Sequence, residues 1–548
     1  MDVTRRRISR PTLVSAVTIY LAILLNLPTF LALHSASRTQ TLSEVALVVA
    51  STYVIVYVAS LAGRTALKWF LVVAIPISAL VVYFTTVVGI VFDYGIVAAV
   101  FGSEATLAAD LASFRALAWT GAFGVLPVVL LWRFVETERD AEPRTFRRSR
   151  LAYYASGPLA TWICWYAFGA LDRTSAAYEE AHSVNVAVPT VVVAQSYVPL
   201  NWMAAASLYG VDLWRARAEA NTLFDPAKAF KYSRSTRADD VLLVLVIGES
   251  ARFDHLQLFG YPRETTPHMQ NESSLVALRG HACGTITKSA LKCMFVRPGG
   301  SRDDPVRGVP QVMEKNVFSV LKSLGFTIDL FSTQGEVDFY LSSGASYFKY
   351  RETYASTVRD LAMPVYDDVL LADLADSLAH HRHGPHVTIL HTMGSHWSYH
   401  ARYPPEFSRF LPDCQGPFYS CARDELINAY DNTVLYTDAF LSKVIDTMRD
   451  RQALLIYTSD HGESLGENGY RAHGAPKDRA PAAQRDVPFI VWASTPWLMQ
   501  PGNRHAFERM QERRSTTFEH DTLFDSILDC LGVESPDGGV NKSNSWCG

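Results

Sequence analysis

The sequence contains no CxxC motif, no internal repeat and no low-complexity segment. It also lacks a strong excess of charge of either sign, since 50 Lys and Arg stand against 54 Asp and Glu. The first absence argues against a structural zinc cluster. The second leaves no case for a repeat array or a biased linker. The third gives no support to a nucleic-acid partner. Long apolar runs are nearly missing after residue 173, where the chain reads like a soluble protein. Apolar residues nevertheless make up 49% of the 548 residues, because the long runs are concentrated before that point. This length suggests two or three units.

Five apolar segments are long enough to cross a bilayer: Thr12–Leu33, Glu44–Ala62, Trp69–Phe92, Ala116–Phe134 and Leu151–Leu171. The first is too long for a cleavable signal peptide and is followed by further spans. Arg5, Arg6, Arg7 and Arg10 precede the first span. Arg64 and Lys68 lie between the second and third, and Arg139, Arg144, Arg147, Arg148 and Arg150 between the fourth and fifth. The alternate loops, 34–43 and 93–115, carry only Arg38 and Arg115. The excess of cationic residues on one side puts the N-terminus in the cytoplasm. Five crossings then leave everything after Leu171 outside.

The cysteines agree independently. Cys164 lies in an apolar stretch, and six others lie in the soluble-looking part as short-range pairs: Cys283 and Cys293, Cys414 and Cys421, Cys530 and Cys547. An even number in such pairs reads as disulfides formed in an oxidising compartment. The expected organisation is a five-span domain at 1–173, bridging helices at 174–238 and a soluble domain at 239–548. In the bridge, Val186–Leu200 carries Pro189 and Pro199 and is not read as a sixth span. Asn201–Ala220, with Trp202, Tyr209 and Trp214 before Arg215 and Arg217, suits a helix in the headgroup region or one packed on the soluble domain.

In the soluble part, Val241–Ile247 is a continuous branched apolar run and reads as a buried strand of a parallel sheet. Ala453–Thr458 and His386–Leu390 read likewise, with helical segments at Val317–Leu324, Asp368–His380 and Thr433–Asp450. Alternating strands and helices imply an α/β sheet, mixed or mainly parallel, covered by helices on both faces. Ligands gather beyond the carboxyl ends of such strands. Three strand ends deliver Glu249, Asp460 with His461, and His396 to one edge, and His473 follows in a glycine-rich loop. Carboxylate and imidazole are ligands suited to Zn²⁺. Gly462 helps to allow the irregular backbone that adjacent ligands require. The stretch Cys283–Ser289 offers three hydroxyls, on Thr285, Thr287 and Ser289, either as a metal-activated nucleophile or as caps of a helix starting near Lys288. The N–H groups of that helix start can hold a phosphate. The residues alone do not choose among the three.

Four segments resemble the membrane phosphoethanolamine transferases of the alkaline-phosphatase/sulfatase superfamily: VIGESARFDHLQLFGYPRETTP (246–267), CGTITKSALKCMF (283–295), HTMGSHWSYHARYP (391–404) and SDHGESLGENGYRAHGAP (459–476). The likeness extends over the whole chain, five-span anchor included. It is most similar to the branch that modifies the Kdo sugar of lipopolysaccharide, through SYVPLNW (196–202), DPAKAFKY (225–232), KCMFVRPGG (292–300) and SPDGGVNKSNSWC (535–547). This resemblance implies an α/β sulfatase-like catalytic domain in the periplasm, anchored in a bacterial inner membrane. It implies that Thr287 is the nucleophile and joins Glu249, Asp460 and His461 around a catalytic zinc. His396 and His473 match histidines that line the phosphate and bind a possible second metal. The matching cysteines imply disulfides 283–293 and 414–421, with 530–547 as a mark of the Kdo branch.

What the resemblance implies for the reaction is a two-step transfer by a monomer. Phosphoethanolamine passes from phosphatidylethanolamine to Thr287 and then to a sugar hydroxyl of Kdo2-lipid A in lipopolysaccharide. Alternatives on the same scaffold are a lipid A phosphate-modifying transferase, a phosphoglycerol transferase and a phosphodiesterase. A sulfatase is disfavoured because no CxPxR-type motif surrounds Thr287. Two stretches depart from the lipid A-modifying members. The loop from Ala99 to Leu107 keeps only Ser103, with Glu104, where those members place an asparagine, a threonine and a glutamate. The loop Ser332–Asp338 lacks their lysine, and a later cysteine pair of theirs is also absent.

Overall fold

The computed structural model describes residues 6–32, 38–88, 92, 97, 113–137, 147–182, 196–219, 223–302, 310–351, 354, 365–416, 421–467, 470–475, 477 and 480–548. The chain forms two compact units, Met1–Trp214 and Arg215–Gly548. The Ala99–Leu107 loop and the cationic residues Arg139 and Arg144 lie outside the described residues.

The first unit is helical. Thr41–Leu61, Arg64–Val88 and Phe114–Phe134 are each long and apolar enough to cross a membrane. The first expected span differs. It is helical over Arg10–Ile19, widens into a π turn at Tyr20–Leu24 and resumes at Leu27–Ala32. The fifth lies within a longer helix, Arg147–His182. Outward-facing residues on these helices are apolar or aromatic, among them Leu117, Leu151, Trp162 and Trp165. Such a surface suits a lipid solvent, where a helix needs no polar face.

In hydrocarbon every backbone carbonyl must find a partner within the protein. Proline in a helix removes the N–H that would serve the carbonyl four residues earlier. Two tyrosines repair this loss. Pro127 frees the Phe123 carbonyl, which accepts a hydrogen bond from the Tyr20 hydroxyl. Pro158 frees the Tyr154 carbonyl, which accepts from the Tyr57 hydroxyl at 3.3 Å. Asn26, fully buried, donates to the carbonyls of Leu21, Ala22 and Val198, and its Oδ1 accepts the Val198 N–H at 2.9 Å. Helix Leu200–Glu219 begins directly after this clamp. Trp202 of that helix donates to Ser78 Oγ at 3.0 Å, so its first turn packs on the membrane helices. Residues Arg6–Ile8 pair in parallel with Val135–Thr137.

The second unit is built on an eight-stranded sheet. Its strands, in chain order, are β1 (Leu242–Gly248), β2 (Leu275–His281), β3 (Thr327–Ser332), β4 (Tyr347–Lys349), β5 (His386–His391), β6 (Ala453–Ser459), β7 (Asp486–Ala493) and β8 (Thr517–Glu519). Their spatial order is β8-β2-β7-β6-β1-β5-β3-β4. All run in one direction except β7, which is antiparallel to both neighbours. The sheet is therefore mixed and mainly parallel. β1 is central and buried on both faces, as its unbroken apolar sequence requires. Leu243, Leu245 and Ile247 join a core with Val317, Phe318, Phe524 and Leu528.

Three disulfides are closed: Cys283–Cys293, Cys414–Cys421 and Cys530–Cys547. The last ties the C-terminal tail to helix Thr522–Cys530. Trp546 is fully buried there, against Phe489 of β7. Leu245→Ala is expected to destabilise this unit by about 2–5 kcal/mol, the range for a buried leucine truncated in a packed core. Chemical denaturation of the two proteins side by side checks this.

Candidate active site

The register of the central strands positions the site. Gly248 at the end of β1 pairs with Ser459 at the end of β6. Ile247 pairs with His391 at the end of β5. The residues that follow, Glu249, Asp460 with His461, and the loop carrying His396, therefore emerge at one edge of the sheet. Tight backbone supports them. Gly394 sits at φ +48°, and a side chain there would meet the Glu249 backbone oxygen at 2.9 Å. Gly462 is required by close approach rather than by a left-handed backbone, since a Cβ would lie 2.1 Å from the Ala483 carbonyl oxygen. Three non-glycine residues hold φ near +60° next to site residues: Ser250, Ser398 and Ala472. Such conformations cost energy and persist only where the surroundings impose them.

Glu249, Asp460 and His461 are all fully buried. His461 Nε2 lies 3.4 Å from Glu249 Oε1, 3.3 Å from Asp460 Oδ2 and 3.4 Å from Thr287 Oγ1. His461 Nδ1 donates to the Gly462 carbonyl at 2.9 Å, so Nε2 presents a lone pair to these oxygens. Asp460 Oδ1 accepts the N–H groups of Ser250 and His461, whereas Oδ2 has no partner in hydrogen-bonding geometry. Ser250 Oγ and Gln334 Nε2 donate to the two Glu249 oxygens, each at 2.7 Å.

The three hydroxyls of the 283–289 stretch point to different places. Thr285 donates to the Ala475 carbonyl and Ser289 to the Ile286 carbonyl. Thr287 is the first residue of helix Thr287–Cys293 and donates to Glu249 Oε2 at 2.9 Å. The helix thus begins one residue earlier than expected, and none of the three hydroxyls caps its N-terminus.

Charge in this pocket is unbalanced. Burial by itself raises the Glu249 carboxyl, but His461, His396 and His473 and the Ser250 hydroxyl outweigh it and hold the group below the usual carboxylate range. Asp460 moves the other way: burial, then the charge of Glu249, push it well above the ordinary value. Burial and then the charge on His473 lower the His461 imidazole to about 3. Glu249 and Asp460 compete for negative charge beside an imidazole lone pair, and Asp460 is driven toward its protonated form by burial and by the charge of Glu249. A divalent cation removes the conflict. Zn²⁺ with bonds of about 2.0–2.2 Å sets tetrahedral donors roughly 3.4 Å apart, which matches the separations here. An orphaned carboxylate oxygen and a carboxylate–imidazole donor set therefore fit a bound metal.

His473 completes a group in which the ligand atoms of Glu249, His461 and His473 lie within 4.8 Å of one another. Its ring centre is 4.3 Å from that of His461 and 6.0 Å from that of His396. All six candidate residues thus come together. Sequence reasoning missed the residues that hold them. Glu463 Oε2 accepts from His473 Nδ1 at 2.8 Å, while Oε1 accepts from the Tyr399 hydroxyl at 3.0 Å. Gln334 lies in the loop read above only for its missing lysine. His520 accepts the Cys283 N–H at Nδ1 (3.4 Å) and reaches the Ser459 carbonyl at 3.0 Å through Nε2, linking the Cys283–Ser289 stretch to β6. Glu463 alone carried a signal, through its place in the SDHGES segment.

Two family models cover most of the chain. Residues 51–197 match the phosphoethanolamine transferase EptA/EptB model, and residues 242–533 match the sulfatase model. The Kdo(2)-lipid A phosphoethanolamine 7''-transferase of Escherichia coli K12 is 37% identical over 510 residues, covering 92% of this chain and 89% of that protein. The chain belongs to the phosphoethanolamine transferase family. A Salmonella typhimurium LT2 transferase of the same description is 35% identical with the same coverage. The fold is shared along the full length with the integral membrane lipooligosaccharide phosphoethanolamine transferase A from Neisseria meningitidis, with a TM-score of 0.79 at 23% identity over 99% of this chain and 98% of that one. The α/β unit described here is the sulfatase domain of this transferase family.

Glu463→Gln is expected to lower turnover about 10–100-fold, the cost typical of losing a carboxylate that orients a site histidine, while the protein stays folded. Steady-state rates and a thermal melt on the same sample check both halves. Stability should also fall with acidity. Burial holds His391 at about 4 and His386, His461 and His520 at about 3, below their ordinary 6.5. Below pH 6.5 the unfolded chain binds protons that the folded chain refuses. Their contribution is complete above about pH 6.5 and is lost as pH falls toward 3, at about 1.4 kcal/mol per pH unit for each group. Denaturation midpoints measured from pH 7 to pH 4.5 read this slope.

Proposed function

We propose that this protein transfers phosphoethanolamine from phosphatidylethanolamine to a Kdo sugar of Kdo2-lipid A, through a phosphoethanolamine ester on Thr287. The observation that carries it is the Thr287 hydroxyl, 2.9 Å from Glu249 Oε2 and 3.4 Å from His461 Nε2. The family membership and the activities named for the two relatives support the phosphoethanolamine group and the Kdo2-lipid A acceptor.

Glu249, Thr287, Asp460 and His461 are the residues that would hold one Zn²⁺. When bound, that ion lowers the pKa of the Thr287 hydroxyl and offsets negative charge on the phosphoryl oxygens. Thr287 Oγ1 attacks the phosphorus of the donor, the bond to the glycerol oxygen breaks and diacylglycerol leaves with a proton. A Kdo hydroxyl then attacks the same phosphorus, its proton is taken up, and Thr287 is regenerated. His396 and His473 flank this centre and suit the proton transfers and the phosphoryl oxygens. Glu463 keeps His473 turned inward, and Gln334 keeps Glu249 aimed at Thr287. A second metal near His396 and His473 is consistent with the same residues.

In this reading residues 1–173 anchor the enzyme by five spans in the bacterial inner membrane. Residues 174–238 form the bridge, and residues 239–548 act as a monomeric domain in the periplasm, where the three disulfides form. Incubating the full-length protein with fluorescent phosphatidylethanolamine and Kdo2-lipid A tests the proposal. Labelled diacylglycerol and modified acceptor should both appear. Intact-protein mass spectrometry without acceptor should find the adduct on wild type and none on Thr287→Ala. Diacylglycerol release with no acceptor product would indicate a hydrolase. Preferential use of phosphatidylglycerol would indicate a phosphoglycerol transferase.

A further inference from the structure

Asp367 is a buried carboxylate that the steps above leave without a role. It lies in the turn before helix Val369–His380, and its carbonyl accepts the Leu370 N–H at 2.9 Å. The next residue ties this turn to helix Arg423–Asp446. Asp368 Oδ2 accepts from Lys443 Nζ at 2.6 Å, and the Asp368 N–H donates to the Tyr436 hydroxyl at 3.0 Å. From this anchored turn the Asp367 side chain reaches across the ends of two adjacent strands. Oδ1 accepts the Thr333 hydroxyl at 2.6 Å and the Met393 N–H at 2.8 Å, and Oδ2 accepts the Gly394 N–H at 3.0 Å. Thr333 directly follows β3, and Met393 and Gly394 stand just past β5.

Both clamped segments lead to Glu249. On the β3 side, Gln334 adjoins Thr333 and donates through Nε2 to Glu249 Oε2 at 2.7 Å and to the Thr392 carbonyl at 3.2 Å. On the β5 side, the Ser395 N–H donates to the Glu249 carbonyl at 2.9 Å, next to the close approach of Gly394 to the Glu249 backbone. One segment thus holds the carboxylate of Glu249 and the other holds its backbone. Oε2, the oxygen that Gln334 fixes, is also the one that accepts the Thr287 hydroxyl. The β5 segment continues into His396, whose carbonyl accepts from Arg402 Nε at 3.3 Å. The chemistry at 367 requires an acid. Its three partners are all donors, and a carboxylate has two oxygens with about four acceptor sites and no hydrogen of its own. An asparagine of the same shape would turn an N–H toward at least one of those donors. A buried carboxylate is costly unless donors surround it, as they do here.

We propose that Asp367 is a positioning residue for the transfer reaction: it locks the segments after β3 and β5 to each other, so that Glu249 meets Thr287 and a bound cation from one fixed direction. It acts through Gln334, Ser395 and Glu249 and not on the reacting atoms. The inference rests on the roles proposed above for Glu249 and Thr287. Removing an outer hydrogen-bonding partner of a metal ligand typically costs about 10–100-fold in metal affinity or turnover, and Asp367 supports such partners on both sides of Glu249.

The test uses the full-length protein in detergent, with fluorescent phosphatidylethanolamine as donor and zinc affinity read by competition with a chromophoric chelator. Asp367→Asn should lower kcat per folded enzyme about 10–100-fold and weaken zinc binding by a similar factor, while KM for the donor stays within about twofold of wild type. Thr333→Val removes one of the three donors at nearly constant size and should show the same pattern more weakly. Thr333→Ser keeps the hydroxyl and should recover it, and this pair carries the test if Asp367→Asn does not fold. A purely structural role predicts the opposite split: a lower melting temperature of the zinc-free protein, with kcat and zinc affinity of the folded fraction equal to wild type. That result would overturn the proposal. Wild type that binds zinc but forms no adduct on Thr287 would remove the transfer reading alone, and zinc affinity would still decide the part played by Asp367.

Discussion

The catalytic edge is organised around a repulsion. His461 Nε2 is held 3.4 Å from Glu249 Oε1 and 3.3 Å from Asp460 Oδ2, and the charge of Glu249 adds to burial in pushing the Asp460 carboxyl up. No isolated chain segment would adopt this arrangement. It survives because three parallel strands in register drive the residues together, and because hydrogen bonds from Ser250, Gln334 and the His461 N–H fix three of the four carboxyl oxygens. Energy spent on crowding like charges is returned when a cation enters, so the sheet's packing is coupled to metal affinity. Gly394 and Gly462 serve the same end by letting backbones approach where a side chain would push the loops apart.

Much of this was legible beforehand because the signals were local. The apolar run before Glu249 and the one before Asp460 mark strands whose carboxyl ends carry the candidate ligands, and period and composition are enough to see that. The choice of Thr287 over Thr285 and Ser289 was not legible from residue type, since all three hydroxyls lie within five positions of one another. It depends on which way the backbone turns after Cys283, and that is set by contacts with Ala475 and His520 nearly two hundred residues or more away. Gln334, Glu463 and His520 escaped for a similar reason. Their partners are distant in sequence or appear only once a loop has folded back, and neither composition nor spacing records such contacts. In the membrane unit, hydropathy located the helices but not the interruption after Ile19. Nor did it show that Tyr20 and Tyr57 serve carbonyls stranded by prolines on other helices.

The two units solve the same accounting problem in different solvents. In the sulfatase domain the sheet ladder pairs the strand backbones, and buried side chains such as Asp438, Asn432 and Asp525 serve N–H groups of helix starts and loops. In the helical unit the ladder is internal to each helix, and side-chain polarity is used to mend it where proline intervenes. This explains the Tyr20 and Tyr57 hydroxyls among otherwise apolar helices, whereas Asn26 ties the end of the first helix to Val198.

The short parallel ladder between Arg6–Ile8 and Val135–Thr137 also constrains topology. Segments joined by backbone hydrogen bonds share one face of any bilayer, so whatever spans lie between them must be even in number. Four satisfies that parity; three or five would tear the ladder apart. The ladder thus records the parity of insertion in its own hydrogen bonds, independently of flanking arginines and lysines.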